Sequence, residues 1–215
     1  MRRLLPMLAL AAALLAGCGG DANSDGSGAS ANDCREVEAP APREPEQLSP
    51  PTKKLDSAKT YQLRFDTNCG EFTVALDLES APKTAASLVS LAEQGYLDDT
   101  IFHRIVPDFV IQGGDPTQTG GGGPGYTTVD PPPQDARYVK GVVAMAKTAD
   151  EPPGASGSQF FVVTAPEVTL GPDYAIVGNV LDEDLDVVER IGALGDATEQ
   201  PTQTVLLEKV TVVES

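Results

Sequence analysis

The chain has 215 residues, with 15 basic side chains against 32 acidic ones, a formal charge of −17 and no tryptophan. So acidic a chain offers no basic groove for nucleic acid and no reason to lie flat on an anionic membrane surface. Its three cysteines form no C-x-x-C pair, so neither a structural zinc nor a redox dithiol is expected, and no metal or cofactor is implied.

The N-terminus opens with "MRR" and continues as the apolar run "LLPMLALAAALLA". That run is too short to cross a hydrocarbon layer of about 30 Å as a helix, but it suits the apolar region of a signal peptide. It ends in "LAGC", residues 15–18, which resembles the lipobox of bacterial lipoproteins. The resemblance implies a signal peptide over 1–17, acyl chains such as palmitate carried through Cys18, and a lipid-anchored place outside the cytoplasm. After it come "GGDANSDGSGASAN", of flexible tether composition, and the proline-rich "EAPAPREPEQLSPPTKK". Neither has apolar periodicity, so residues 18–58 are expected to be a disordered tether. Export would allow Cys34 and Cys69 to pair as a disulfide; two independent buried thiols are the alternative.

Residues 59–215 have the size of one domain with one core. "KTYQLRFDT" and "GEFTVALDL" alternate apolar and polar residues and predict an antiparallel pair turning at 68–70. "SAPKTAASLVSLAEQGYL" has helical spacing, with Pro82 in its first turn and Gly95 as its stop. Short strands are predicted over 102–106, 109–112, 139–146, 159–164, 175–180 and 204–213, and "DLDVVERIGAL" predicts a second helix. Many strands with two helices suggest a closed β-barrel or a sandwich, and periodicity leaves both open.

Three motif searches fail. "TGGGGPG" is followed by no Lys-Ser/Thr and opens no helix, so it is no phosphate loop. "GASGS" ends in Ser where a nucleophile elbow needs Gly. "DEDLD" begins like a calcium loop, but Val187 and Ala193 stand where glycine and glutamate are required.

"FHRIVPDFVIQGGD", "GVVAMAK" and "GSQFFVVT" occur in the order and spacing of one family. Together with "GEFTVALDLESAPKTAASLVSLAEQGYLDDTIFHR" they make residues 59–213 resemble the cyclophilins, the cyclosporin-binding peptidyl-prolyl cis-trans isomerases. The resemblance implies a mainly β fold, a closed eight-stranded antiparallel barrel capped by two α-helices. It also implies a reaction that breaks no covalent bond. Rotation about an X–Pro amide faces a resonance barrier of about 18–20 kcal/mol and takes tens to hundreds of seconds unaided. The twisted amide leaves the prolyl nitrogen pyramidal and more basic, so a fixed donor aimed at it lowers the barrier. Arginine, always charged and forked, suits that task.

By the same resemblance Arg104 is that donor, and Gln112 holds the substrate carbonyl and orients it. Phe109, Val110, Phe161 and Leu170 would seat the proline ring. Ala146, Lys147 and Gln159 would line the groove for the preceding residues. His103, beside the arginine, receives no proton-transfer role. Taken singly, a strand arginine is an ion-pair partner and a phenylalanine is core; their joint order carries the assignment.

The chain departs from the family in places. Many members carry a tryptophan where this chain has Thr169, so weak cyclosporin binding is expected. Val110 stands for a usual methionine, Tyr174 for a histidine, and Lys147 for an asparagine. The triple proline of "TTVDPPPQDARYVKG" cannot form a central strand, and "KTADEPPGASG" has a double proline. Both loops, 130–138 and 147–157, are expected to flank the groove. The expected activity is isomerisation of X–Pro bonds in exported, unfolded proteins by a monomer. The alternative is a low-turnover module that binds proline-containing peptides as a chaperone. A transporter's substrate-binding lipoprotein would need two larger α/β lobes.

Overall fold

The computed structural model describes residues 34–215. The signal peptide, Cys18 and the first part of the tether lie outside the described residues. Strands β1 (Tyr61–Thr67) and β2 (Gly70–Leu76) form the predicted antiparallel pair. Leu63, Phe65, Phe72 and Val74 are buried while Arg64, Asp66 and Glu71 lie nearer solvent, as a period of two requires.

Helix α1 (Pro82–Glu93) starts with proline, which lacks the N–H that a first turn cannot use. No local side chain caps it. Instead Asp130, from the triple-proline loop, accepts from the Thr84 N–H at 2.7 Å and the Thr84 hydroxyl at 2.8 Å. A carboxylate at a helix N-terminus satisfies a free donor and complements the dipole.

The remaining elements are β3 (Thr100–Ile101), β4 (Arg104–Val106), β5 (Val110–Gly113), β6 (Thr128–Val129), β7 (Tyr138–Val139), β8 (Val142–Met145), β9 (Ala155–Ser156), β10 (Phe160–Val163), β11 (Glu167–Val168), β12 (Ile176–Val180), α2 (Leu185–Gly192) and β13 (Leu206–Glu214). The fold is mainly β, with two α-helices among the described residues, and cyclophilin-like in its elements. Nine strands pair antiparallel in the order β3-β13-β1-β2-β12-β8-β10-β5-β4. The expected closed eight-stranded barrel is therefore met only in part, because the edge strands β3 and β4 do not pair with each other. Only Phe102 and His103 separate them, with no turn that could fold one strand back on the other.

Apolar residues fill two layers. Phe65, Phe72, Phe102 and Phe160 meet in the main core, and Val110, Tyr138, Val142, Ala144, Phe161 and Val163 form a second cluster across the sheet. Consecutive residues therefore serve opposite faces, Phe160 inward and Phe161 outward. This explains why "FFVV" and "VVAM" are apolar throughout rather than alternating.

The predicted tether differs from what the structure shows over 34–58. This segment is a strap laid along the domain. Cys34 and Cys69 are joined by a disulfide, and the Arg35 N–H donates to the Asn68 carbonyl at 2.8 Å. Leu48 and Leu55 pack against the main core. Composition marks such a segment as unable to fold alone, but it does not reveal a surface prepared for it.

Candidate active site

Arg104, Gln112 and Phe161 reach one face by strand register. Arg104 on β4 pairs with Gln112 on β5, and Gln112 pairs with Phe161 on β10. Three neighbouring strands thus set a cation, an amide and an aromatic ring side by side. The two glycines after Gln112 keep this row close to its surroundings. A Cβ on Gly113 would stand 3.3 Å from the Ile101 carbonyl oxygen, and one on Gly114, at φ +83°, would stand 2.4 Å from that of Ser158.

The row borders a cavity of about 240 Å³ lined by Arg104, Phe109, Val110, Gln112, Ala146, Lys147, Phe161, Leu170 and Tyr174. Of the residues predicted from sequence, all but Gln159 lie on its wall. Gln159 lines the neighbouring groove instead. Tyr174, noted above only as a departure, presents an edge to Phe161 with ring centres 5.5 Å apart, and the Lys147 ammonium lies 5.8 Å from its ring centre. Thr169 is not on the cavity wall. Of the two proline-rich loops, only 147–157 reaches the groove, through Thr148, Glu151 and Gly157. The 130–138 loop serves α1 through Asp130, whose N–H also donates to the Gly154 carbonyl of the other loop at 3.1 Å.

A chain of polar contacts runs along the floor. Arg104 Nε donates to Glu199 Oε2 at 2.7 Å and its Nη1 to Gln112 Oε1 at 3.3 Å. Gln112 Nε2 donates to Gln159 Oε1 at 3.1 Å, and Gln159 Nε2 to the carbonyls of Gly120 and Gly122 at 3.0 and 2.9 Å. No other hydrogen-bond partner of Arg104 occurs among the described residues.

Glu199 is the functional residue that sequence reasoning missed. It sits at φ +65°, a left-handed conformation unusual for glutamate. Its turn is tied by Asp196, whose carboxylate accepts from the Thr198 N–H at 2.7 Å and the Gln200 N–H at 3.1 Å. The Glu199 carbonyl accepts from the Ile105 N–H at 3.1 Å, which fixes the turn against β4. An acid in "DATEQPTQ", about a hundred residues from the arginine, carries no sequence signal of that pairing.

His103 points away from this chemistry. Both ring nitrogens are buried without a partner. Burial pushes its pKa down, Asp115 opposes that and Arg104 adds to it, so the ring is neutral at pH 7. Asp115 organises the glycine-rich loop by accepting from the N–H groups of Thr117, Thr119, Gly120 and Gly122. Burial alone would raise its pKa, but the Thr117 hydroxyl and these N–H groups together hold it below the usual carboxylate range.

Beyond this geometry, the chain is similar to known proteins. Residues 62–212 match the family described as cyclophilin type peptidyl-prolyl cis-trans isomerase/CLD. A peptidyl-prolyl cis-trans isomerase of Arabidopsis thaliana is 34% identical over 158 residues, covering 71% of this chain and 94% of the relative. Peptidyl-prolyl cis-trans isomerase-like 1 of Aspergillus fumigatus is 39% identical over 155 residues, covering 70% and 94%. The crystal structure of a cyclophilin-type isomerase of Cryptosporidium parvum superposes with a TM-score of 0.63 at 30% identity, covering 72% of this chain and 98% of the other. The same Cryptosporidium protein solved in the presence of the dipeptide Ala-Pro gives a TM-score of 0.62 at 30% identity, covering 71% and 98%.

Proposed function

The chain belongs to the cyclophilin-type peptidyl-prolyl cis-trans isomerases and is such an isomerase, and from that premise we propose how its residues divide the work. The proline ring sits against Phe109, Val110, Phe161 and Leu170, whose apolar walls hold either isomer alike. Arg104 supplies what distinguishes the twisted amide from both planar forms, a charged donor directed at the prolyl nitrogen as its lone pair is released. Gln112 accepts from Arg104 and offers its amide towards the substrate carbonyl. Ala146, Lys147 and Gln159 guide the residues before proline. The observation that carries this reading is the anchoring of one guanidinium from two sides, by Glu199 and Gln112, on the wall of a cavity that Phe109, Val110, Phe161 and Leu170 also line.

The test is exchange NMR on a short Ala-Pro peptide with the wild-type chain and Arg104→Ala. We expect fast cis–trans exchange that falls by roughly a hundredfold in the variant, the size seen when one donor to a transition state is removed. Exchange that survives the substitution would move the electrostatics to another residue. Saturable binding without exchange would favour the low-turnover chaperone module.

Three finer readings accompany this one. Counting β3 and β4 as the two ends of one strand turns the nine of the ladder into eight. The main-chain bonds from Phe102 to Val205 and from Ile105 to Glu199, at 3.0 and 3.1 Å, support reading that ladder as a barrel. The protein is a bacterial lipoprotein, anchored through Cys18 outside the cytoplasm and acting on unfolded exported proteins. The apolar run, "LAGC" and the Cys34–Cys69 disulfide support this, and an N-terminal peptide of unmodified mass would refute it. Cyclosporin binds weakly because no tryptophan stands beside Leu170; an inhibition constant in the nanomolar range would overturn that.

A further inference from the structure

A second cavity, of about 760 Å³, runs on from the proline pocket and shares Gln112, Ala146 and Lys147 with it. One of its walls is the glycine-rich loop, and another is the strap, through Arg43, Pro45 and Gln47. The strap precedes the matched residues 62–212, so this wall is an addition to the family's domain.

We propose that Arg43, Pro45 and Gln47 form a specificity wall for the residues that precede the X–Pro pair, with Arg43 selecting an acidic side chain there. The inference rests on the isomerase reading and deepens it.

The strap is held along this stretch by several contacts. The Arg43 N–H donates to the Pro116 carbonyl at 2.9 Å and the Leu48 N–H to that of Pro124 at 2.8 Å. Gln118 Nε2 reaches the Pro40 carbonyl at 2.9 Å. The receiving loop leaves room for it. Gly125, at φ +83°, faces Gln47 so closely that a Cβ there would stand 2.7 Å from Gln47 Oε1.

Arg43 is positioned but not neutralised. Its Nη2 donates to the Tyr96 carbonyl, its guanidinium lies 5.5 Å from the Tyr96 ring centre, and its Nε is buried without a partner. It forms no ion pair among the described residues, even with Glu44 or Glu46 beside it in sequence. The groove's own acid is already engaged: Glu151 Oε2 accepts from the Thr148 N–H and hydroxyl at 2.7 and 3.0 Å. Lys147 Nζ donates to the Thr148 and Glu151 carbonyls, both at 3.0 Å. These bonds to neutral groups leave the charges in place, and of the charged side chains lining the groove two are cations, Arg43 and Lys147, against the one acid Glu151. A peptide with its proline in the pocket, running past Ala146 and Lys147, brings its second or third preceding residue to this wall.

The experiment compares kcat/KM of the full chain for Ala-Glu-Ala-Pro and Ala-Lys-Ala-Pro peptides, then repeats it with Arg43→Gln and Arg43→Glu. We expect the Glu peptide to be favoured by about fivefold, the size of a partly exposed ion pair. The preference should vanish in Arg43→Gln and reverse in Arg43→Glu. A chain of net charge −17 attracts the Lys peptide through its overall field, so a preference for Glu has to be local. A ratio that is the same in all three proteins, or equal losses on both peptides, overturns the wall. If neither peptide turns over, the isomerase reading falls; the wall then stands or falls on whether the Glu peptide binds more tightly than the Lys peptide.

Discussion

The two cavities share three residues yet are built in opposite ways. The proline pocket is walled by side chains from paired strands, and Phe161 belongs to a buried cluster that would exist without any ligand. The groove is walled by a glycine-rich loop, a double-proline loop and a strap that comes from outside the nine-stranded sheet. Register sets the first, since moving one residue along β5 would turn Gln112 away. Tethers set the second: a disulfide, the carboxylate of Asp115 and a handful of main-chain bonds. Positioning by strands suits chemistry common to every X–Pro bond. Positioning by tethers suits selection among peptides, where a change should leave the chemistry intact.

The largest way to break this comparison is to release the strap. The disulfide closes a loop with a sequence separation of 35, which in the chain-entropy picture stabilises by about 4 kcal/mol. Replacing Cys34 and Cys69 together by serine should lower Tm by roughly 10 °C. The Arg43 and Leu48 amides should lose protection from hydrogen exchange, while those of β5 and β10 keep it. Equal loss in strap and strands would mean that the strap belongs to the core's cooperative unit and the contrast fails.

The pocket was legible in the sequence, as were Ala146, Lys147 and Gln159 of the groove, but the groove's strap wall was not, for the same physical reason. Arg104, Phe109, Gln112 and Phe161 lie in strands whose order and spacing carry their geometry, so the resemblance placed them together. Arg43 and Glu199 act through contacts between segments far apart in the chain, with no periodicity to mark them. Asp130 was hidden likewise: "DPPP" reads as a breaker of strands, and nothing local shows that it caps α1. The disulfide was open from sequence, because cysteine parity in an exported chain gives a pairing but not the approach of two segments. The split of the predicted 139–146 strand into β7 and β8 follows from Gly141, at φ +84°, where a turn interrupts an otherwise apolar run.

A smaller effect sharpens the pocket's side of the contrast. Glu199 anchors Arg104 but is half exposed, so its removal should lower kcat about three- to tenfold, with KM for a short Ala-Pro peptide nearly unchanged, because the apolar seat stays whole. Glu199→Gly separates anchoring from folding. Glycine occupies φ +65° without the steric penalty that glutamate bears there. The variant should therefore hold or raise Tm while losing turnover, and Glu199→Gln, which keeps an acceptor, should lose less. Turnover that tracks Tm across the wild type and the two variants would reduce Glu199 to a structural role.

The smallest expected effect lies beneath the groove. His103, the only histidine, packs under the glycine-rich loop; a Cβ on Gly120 would stand 3.8 Å from its Nε2. Burial holds its pKa below the ordinary 6.5. Above that pH the ring is neutral in folded and unfolded chains, and stability is complete. As pH falls below 6.5, the unfolded chain takes up a proton that the folded chain refuses, so stability declines. Asp115 shifts in the direction that also favours folding at higher pH, but its pKa lies below the usual 3.8, so its contribution is lost only in more acid solution. Between pH 7 and 5 the decline is therefore due chiefly to His103. Tm measured across that range should fall in the wild-type chain and stay flatter in His103→Gln. Because the ring lies under the loop rather than in the pocket, selectivity between longer peptides should weaken before Ala-Pro exchange does. Parallel Tm profiles for the two proteins would remove the histidine from the account and leave the loop's order to Asp115 alone.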